Sequence, residues 1–279
     1  MFEMFHLDFM QNAFTAALVT GILLSYMGVH VVGRGIVFVD LALGQISSLG
    51  VAFAAFIGTG LTSIPLIFTL AGALLMSFIN IRDKRLKQEA VIGILYAFTS
   101  ALTVLLISKT AHGDSDIQEV LFGNFFSVTP GQIHTMEIVF GSILMVQLVF
   151  FKKFNALTES FENGENHLIG IFNIWNFIFY MSIGLAIVFA VKVCGVIPVF
   201  SYLIIPAVSA IMLTKNKMAV FVIAMLLSVL GSFLGLNFSF KYDFPAGSSI
   251  VAVLGGIFIL SAIYRIIRGF AGKKNTEQG

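Results

Sequence analysis

Residues 64–107 read IPLIFTLAGALLMSFINIRDKRLKQEAVIGILYAFTSALTVLLI. Two apolar runs flank the hexapeptide Arg82-Asp-Lys-Arg-Leu-Lys87, which holds four of the chain's 16 Lys and Arg residues. An α-helix rises 1.5 Å per residue, so roughly 20 apolar residues cross the ~30 Å of bilayer hydrocarbon. A basic loop between two such runs marks the cytoplasmic side. Working outward, further apolar runs of similar length occupy 11–32, 36–58, 132–151, 173–191, 193–213, 218–236 and 249–267. The expectation is an all-α polytopic membrane bundle of about nine transmembrane helices, or eight if the two runs meeting near Lys192 form one broken pair. Alternating sides from residues 82–87 puts every Lys and Arg inside except Lys109, Lys192 and Lys241, which predicts the N-terminus outside and the C-terminus inside. Hydrophobic residues make up 58% of the chain and charged residues 11%, a balance suited to lipid and not to a water-solvated core.

No composition shift or linker divides residues 1–279, so one transmembrane domain is expected. The polar stretches 109–131 and 152–166 are too short to fold alone, and 154–167 reads as an amphipathic segment on the membrane surface. The first span should be retained, because Glu3 and Asp8 precede it and no basic residue occurs before Arg34, unlike a cleaved signal. Cys194 is the one cysteine, which excludes an internal disulfide. Enzyme signatures are missing. There is no Gly-x-x-x-x-Gly-Lys-[Ser/Thr] phosphate loop, the nearest stretch being Gly272-Lys273-Lys274, and neither a His-Glu-x-x-His nor a Gly-x-Ser-x-Gly motif. Any ATP chemistry belongs to another chain.

Transport remains, and polar residues at membrane depth show where to look, since they are costly unless they face a cavity or a partner. The second run opens Arg34-Gly-Ile-Val-Phe-Val-Asp40-Leu-Ala-Leu-Gly44-Gln45-Ile-Ser47-Ser48. A carboxylate, an amide oxygen and two hydroxyls suit a divalent cation better than an organic substrate. On an ideal helix Asp40 and Gln45 diverge by about 140°, so a break at Gly44 is needed to bring them together. The competing reading pairs Asp40 with Arg34 or a juxtamembrane lysine.

Arg34 to Ala52, with Glu89 to Leu95, His112-Gly113, Leu121-Phe-Gly-Asn124 and Val193 to Ala210, resembles the membrane permease of manganese/zinc/iron ABC importers, known as the ABC-3 family. The resemblance covers roughly residues 11–267. It implies a prokaryotic plasma-membrane homodimer that forms the translocation path for a divalent metal, the cargo. It also implies separate cytoplasmic ATPase subunits that bind the ATP and an extracytoplasmic metal-binding protein, with no permanent cofactor and no nucleic acid. The commoner family pattern is Asp-x-x-x-His-Ala-x-x-x-Gly; anchored on Gly50, this chain has Gln45 at the histidine position and Asp40 displaced by one, similar to a subgroup reading Asp-x-Ala-x-x-Gln. Without the imidazole, Zn2+ loses a preferred ligand and an all-oxygen passage for Mn2+ or Fe2+ becomes conceivable. A secondary transporter, with Asp40 or Glu137 as the coupling carboxylate, is the alternative class.

Further candidates line the expected path. Pro206 frees the carbonyl one turn earlier, so the seventh span should kink and expose acceptors near Ser201 and Tyr202. His134 and Glu137, three apart on the fifth span, read as a metal relay or as an interfacial pair. His112, Asp114, Asp116 and Glu119 form an acidic outer-loop cluster, for a cation or for the binding protein. The expected metal path is therefore Asp40, Gln45, Ser48, Glu137, His134 and Tyr202, while His30 reads as structural.

Overall fold

The computed structural model describes residues 3–60, 62–79, 88–108, 123, 125–164 and 173–276. Among them are ten α-helices: α1 (Asp8–Arg34), α2 (Val39–Ile57), α3 (Ser63–Phe78), α4 (Gln88–Ile107), α5 (Pro130–Val149), α6 (Phe151–Glu162), α7 (Ile174–Cys194), α8 (Val196–Leu213), α9 (Lys217–Tyr242) and α10 (Ala246–Thr276). Short 3-10 turns at Glu3–His6 and Phe125–Ser127 complete the described elements.

Local chemistry sets the ends. Thr129 and Gln132 form a reciprocal capping box with Pro130 in the first turn of α5; the Asn173 and Asn216 side chains accept the first free amides of α7 and α9. Gly35 and Gly58 close α1 and α2 in the left-handed conformation.

Eight helices are long and apolar enough to cross a membrane; the ninth expected span is α3, apolar but only 16 residues long. The amphipathic segment is α6, which buries Phe154, Leu157 and Thr158 against the bundle and is not a span. The two runs near Lys192 are separate helices. Their boundary falls at Gly195 (φ 80°, ψ 164°), a conformation that residues with a Cβ rarely adopt, and α7 continues past Lys192 to Cys194. The basic loop 82–87 and the acidic cluster 112–119 lie outside the described residues.

α1 is the central post, packed against α5, α6, α8 and α9, while α2 is held by α3, α4, α7 and α8. Small residues permit the closest crossings. A Cβ on Gly28 would sit 1.7 Å from the Leu203 carbonyl oxygen, and one on Gly235 would sit 2.6 Å from the Ile250 Cα. Hydroxyls inside the bundle return to their own helices, as Thr69 to the Pro65 carbonyl, Thr103 to Thr99 and Ser232 to Ser228. The outer faces of α4 and α10 present Ile94, Phe98, Leu105, Ile259, Leu260 and Ile266, surface that lipid solvates and water would not.

Candidate metal path

Asp40 lies in the first turn of α2, where the helix dipole favours an anion, and is 2% exposed. Among the described residues no side chain hydrogen-bonds either carboxylate oxygen, and only the backbone amides of Asp40 and Leu41 lie near enough to favour the charge. An ionised carboxylate left this way costs several kcal/mol, and native proteins compensate such groups with a cation or a proton. The predicted pairing with Arg34 is absent. Arg34 donates Nε–H to Thr158 Oγ1 at 3.2 Å and a terminal N–H to Asn176 Oδ1 at 3.3 Å, and its guanidinium lies 3.7 Å over the Phe179 ring. Residues far along the chain outcompete the near neighbour because α1 and α2 leave their shared corner in different directions.

The expected break at Gly44 is also absent: α2 runs unbroken from Val39 to Ile57. Gly44 serves packing instead, its bare Cα facing Val196 and Val191 at the α7–α8 junction. By helical geometry Asp40 therefore shares its face with Gly44 and Ser47, whereas Gln45 and Ser48 occupy the sector roughly 80–140° around the helix. Gln45 is buried and hydrogen-bonds no described residue. The Ser48 hydroxyl donates to the Gly44 carbonyl at 2.9 Å, leaving its lone pairs free. Among the described residues no group of three or more His, Cys, Asp or Glu gathers to hold a metal.

The other candidates lie elsewhere. Tyr202 is fully buried between α1 and α9, its ring against Gly21 and its hydroxyl 2.5 Å from Ser232 Oγ. The carbonyl at Leu203, in the turn before Pro206, faces Gly28 of α1, and the Ser201 hydroxyl donates to the Ile197 carbonyl at 2.9 Å. Pro206 lies inside α8 without ending it, one turn after the close crossing of Leu203 and Gly28. His134 and Glu137 lie 3.8 Å apart in the first turns of α5, with side chains 75% and 47% exposed, on a helix that packs on α1 and α7.

Sequence reading missed a second polar centre. The His30 ring sits 2.9 Å from Thr158, and Asn176 continues from Arg34 to the Ser77 carbonyl at 3.4 Å. The available signal was His30 and Arg34 one turn apart on an otherwise apolar helix. Gln147 of α5 is fully buried with both amide atoms unpartnered, close to Tyr26, whose hydroxyl reaches the Gln147 carbonyl at 3.4 Å.

Comparison with known proteins accounts for this arrangement of helices. The model of the ABC 3 transport family matches residues 6–265. The manganese transport system membrane protein MntC of Halalkalibacterium halodurans is 25% identical over 97% of this chain and 94% of its own length. The chelated iron transport system membrane protein YfeD of Yersinia pestis is 26% identical over 98% of this chain and 91% of its own. In the structure of PsaBC from Streptococcus pneumoniae in complex with Fab, one chain superimposes with a TM-score of 0.76 at 25% identity, covering 91% of both. A multi-pass helical bundle, a family match over nearly its whole length and a superimposable solved structure place this chain in the ABC 3 transport family.

Proposed function

We propose that the chain forms the membrane pore of an ATP-driven importer of a divalent transition metal, with Asp40 as the anionic group that meets the ion inside the membrane. One observation carries this: a buried carboxylate that no described side chain bonds, in a spanning helix of an ABC 3 transport chain. A passing cation supplies the missing partner, and the carboxylate offsets part of the hydration the cation sheds. Gln45 and Ser48 offer neutral oxygens on the neighbouring sector of α2. A second copy of the chain, presenting its own α2, would complete a ligand set that one copy leaves short. Hard oxygens suit Mn2+ or Fe2+ better than Zn2+, in keeping with relatives named for manganese and iron. His134 and Glu137 stand as a first, weak encounter site at the outer rim, and Tyr202 as a packing support.

ATP binds on separate ATPase subunits docked at the end of the bundle that carries Lys152, Lys153, Lys215 and Lys217, around residues 214–218. An extracytoplasmic binding protein delivers metal at the opposite end. The test is uptake of Mn2+, Fe2+ and Zn2+ into proteoliposomes holding the chain with and without its ATPase. Uptake only with both ATPase and ATP is expected, and gradient-driven uptake by the chain alone would overturn the reading.

A further inference from the structure

Thr158 is a fully committed hydroxyl. It donates its one hydrogen to the Phe154 carbonyl at 3.0 Å and accepts Arg34 Nε–H at 3.2 Å. Its remaining lone pair therefore takes the Nδ1–H of His30 at 2.9 Å, which fixes the His30 tautomer. One atom of α6 thus holds two side chains from the last two turns of α1.

The adjacent residue reaches the other way. Glu159 accepts Lys217 Nζ at 2.7 Å, from the first turn of α9 beside the turn that closes α8. Thr158 and Glu159 together link residues 214–217 to α1 through α6. At its far end α1 closes on Gly35 (φ 65°), and the corner is tight, with Ile36 N–H donating to the Val31 carbonyl at 3.2 Å and Val39 N–H to Ile36 at 3.0 Å. Asp40 follows immediately. A shift of the last turn of α1 is therefore carried into the first turn of α2.

Close-packed interiors resist such shifts, but here there is room. A cavity of about 320 Å3 opens between α1, α6, α8 and α9, walled by His30, Thr158, Glu159 and Lys217. We infer that Thr158 is a positioning residue for transport, the point through which movement of α6 resets the α1–α2 corner and the placement of Asp40. The inference rests on the ATP-driven reading above and adds the route by which a partner at residues 214–218 acts on the ion site.

The experiment measures metal uptake and ATP hydrolysis in the same proteoliposomes for wild type, Thr158→Val, which keeps the shape and loses the hydroxyl, and Thr158→Ser, which keeps the hydroxyl. Thr158→Val should cut ions moved per ATP by about tenfold while hydrolysis stays within about twofold, and Thr158→Ser should restore the ratio. A wild-type ratio in Thr158→Val overturns the inference, as does a proportional fall in uptake and hydrolysis, which marks a merely structural hydroxyl. Should Thr158→Val fail to accumulate, Glu159→Gln takes its place, with a lowered ratio expected and an unchanged one overturning the proposal. Wild type without ATP-driven uptake brings down the function reading and this inference together, whereas coupling in both wild type and Thr158→Val brings down this inference alone.

Discussion

Two charged side chains only six positions apart, Arg34 and Asp40, are both buried, and the fold treats them in opposite ways. Arg34 is partly compensated: Thr158 and Asn176 accept from Nε and one terminal nitrogen and the Phe179 ring lies under its guanidinium, while the other terminal nitrogen has no partner among the described residues. Asp40 receives no side-chain donor from the described residues and has only the first backbone amides of its own helix beside it. Arg34 lies where four helices meet and each can lend a polar atom, so its burial binds the bundle together. Asp40 lies one turn before Gly44, which packs on the valines of the α7–α8 junction, and its burial without a side-chain donor carries a cost that the proposed passing cation would relieve. Under the proposed function, the burial of Arg34 holds structure and that of Asp40 serves the passing ion.

The strongest way to break this contrast is to remove the unsatisfied charge. Asp40→Asn should reduce metal uptake to that of empty vesicles while the protein assembles normally. It should also raise thermal stability, by about 1–3 kcal/mol, because an amide is cheaper to bury than an uncompensated carboxylate. Uptake assays and thermal melting in detergent check both halves. Normal transport by the variant would return Asp40 to a structural role.

Arg34→Met probes the opposite case. The thioether keeps much of the stem's packing but leaves Thr158 and Asn176 without their donor, so stability should fall by about 2–4 kcal/mol, read as a lower melting temperature and a lower membrane yield. A variant as stable as wild type would show that the two buried charges are not treated differently.

This contrast also separates what the sequence made legible from what it did not. Span length is a local property, so α1, α2, α4, α5 and α7 to α10 could be read from runs of apolar residues, and Asp40 stood out as a charge inside one of them. The network around Arg34 joins residues more than 120 positions apart, and no local pattern announces it. Gly44 permits a break, but in this bundle α7 and α8 press close enough for it to serve as a packing contact in an unbroken α2. The two apolar runs meet near Lys192 in the sequence, whereas the backbone turns at Gly195, where the conformation favours glycine.

Gln45→His sharpens the contrast at smaller amplitude. Gln45 is neutral and without a hydrogen-bond partner among the described residues, so its cost is lower and its expected influence is on selectivity, not on transport itself. An imidazole at this position should shift competitive uptake severalfold toward Zn2+ over Mn2+ and Fe2+ at matched protein levels. Unchanged selectivity would locate the discriminating ligands off α2.

The smallest expected effect lies at the surface pair, where charge is compensated and exposed at once. The hydrogen bond and charge of Lys217 hold the Glu159 carboxyl below its ordinary range. A group whose folded value is depressed lends its stability above the ordinary carboxylate value and loses it as pH falls through the lowered one. Both side chains are substantially exposed, so water and salt screen the pair and little global stability depends on it. Melting temperature should therefore change little between pH 7 and pH 5, with the pair's small contribution disappearing only at more acidic pH or in high salt. Glu159→Gln should flatten that acidic part of the profile, measured as the difference in melting temperature from wild type across the titration. An equal acid sensitivity in wild type and Glu159→Gln would mean that a different carboxylate governs it, and that the bridge between α6 and α9 is no stronger than two solvated charges.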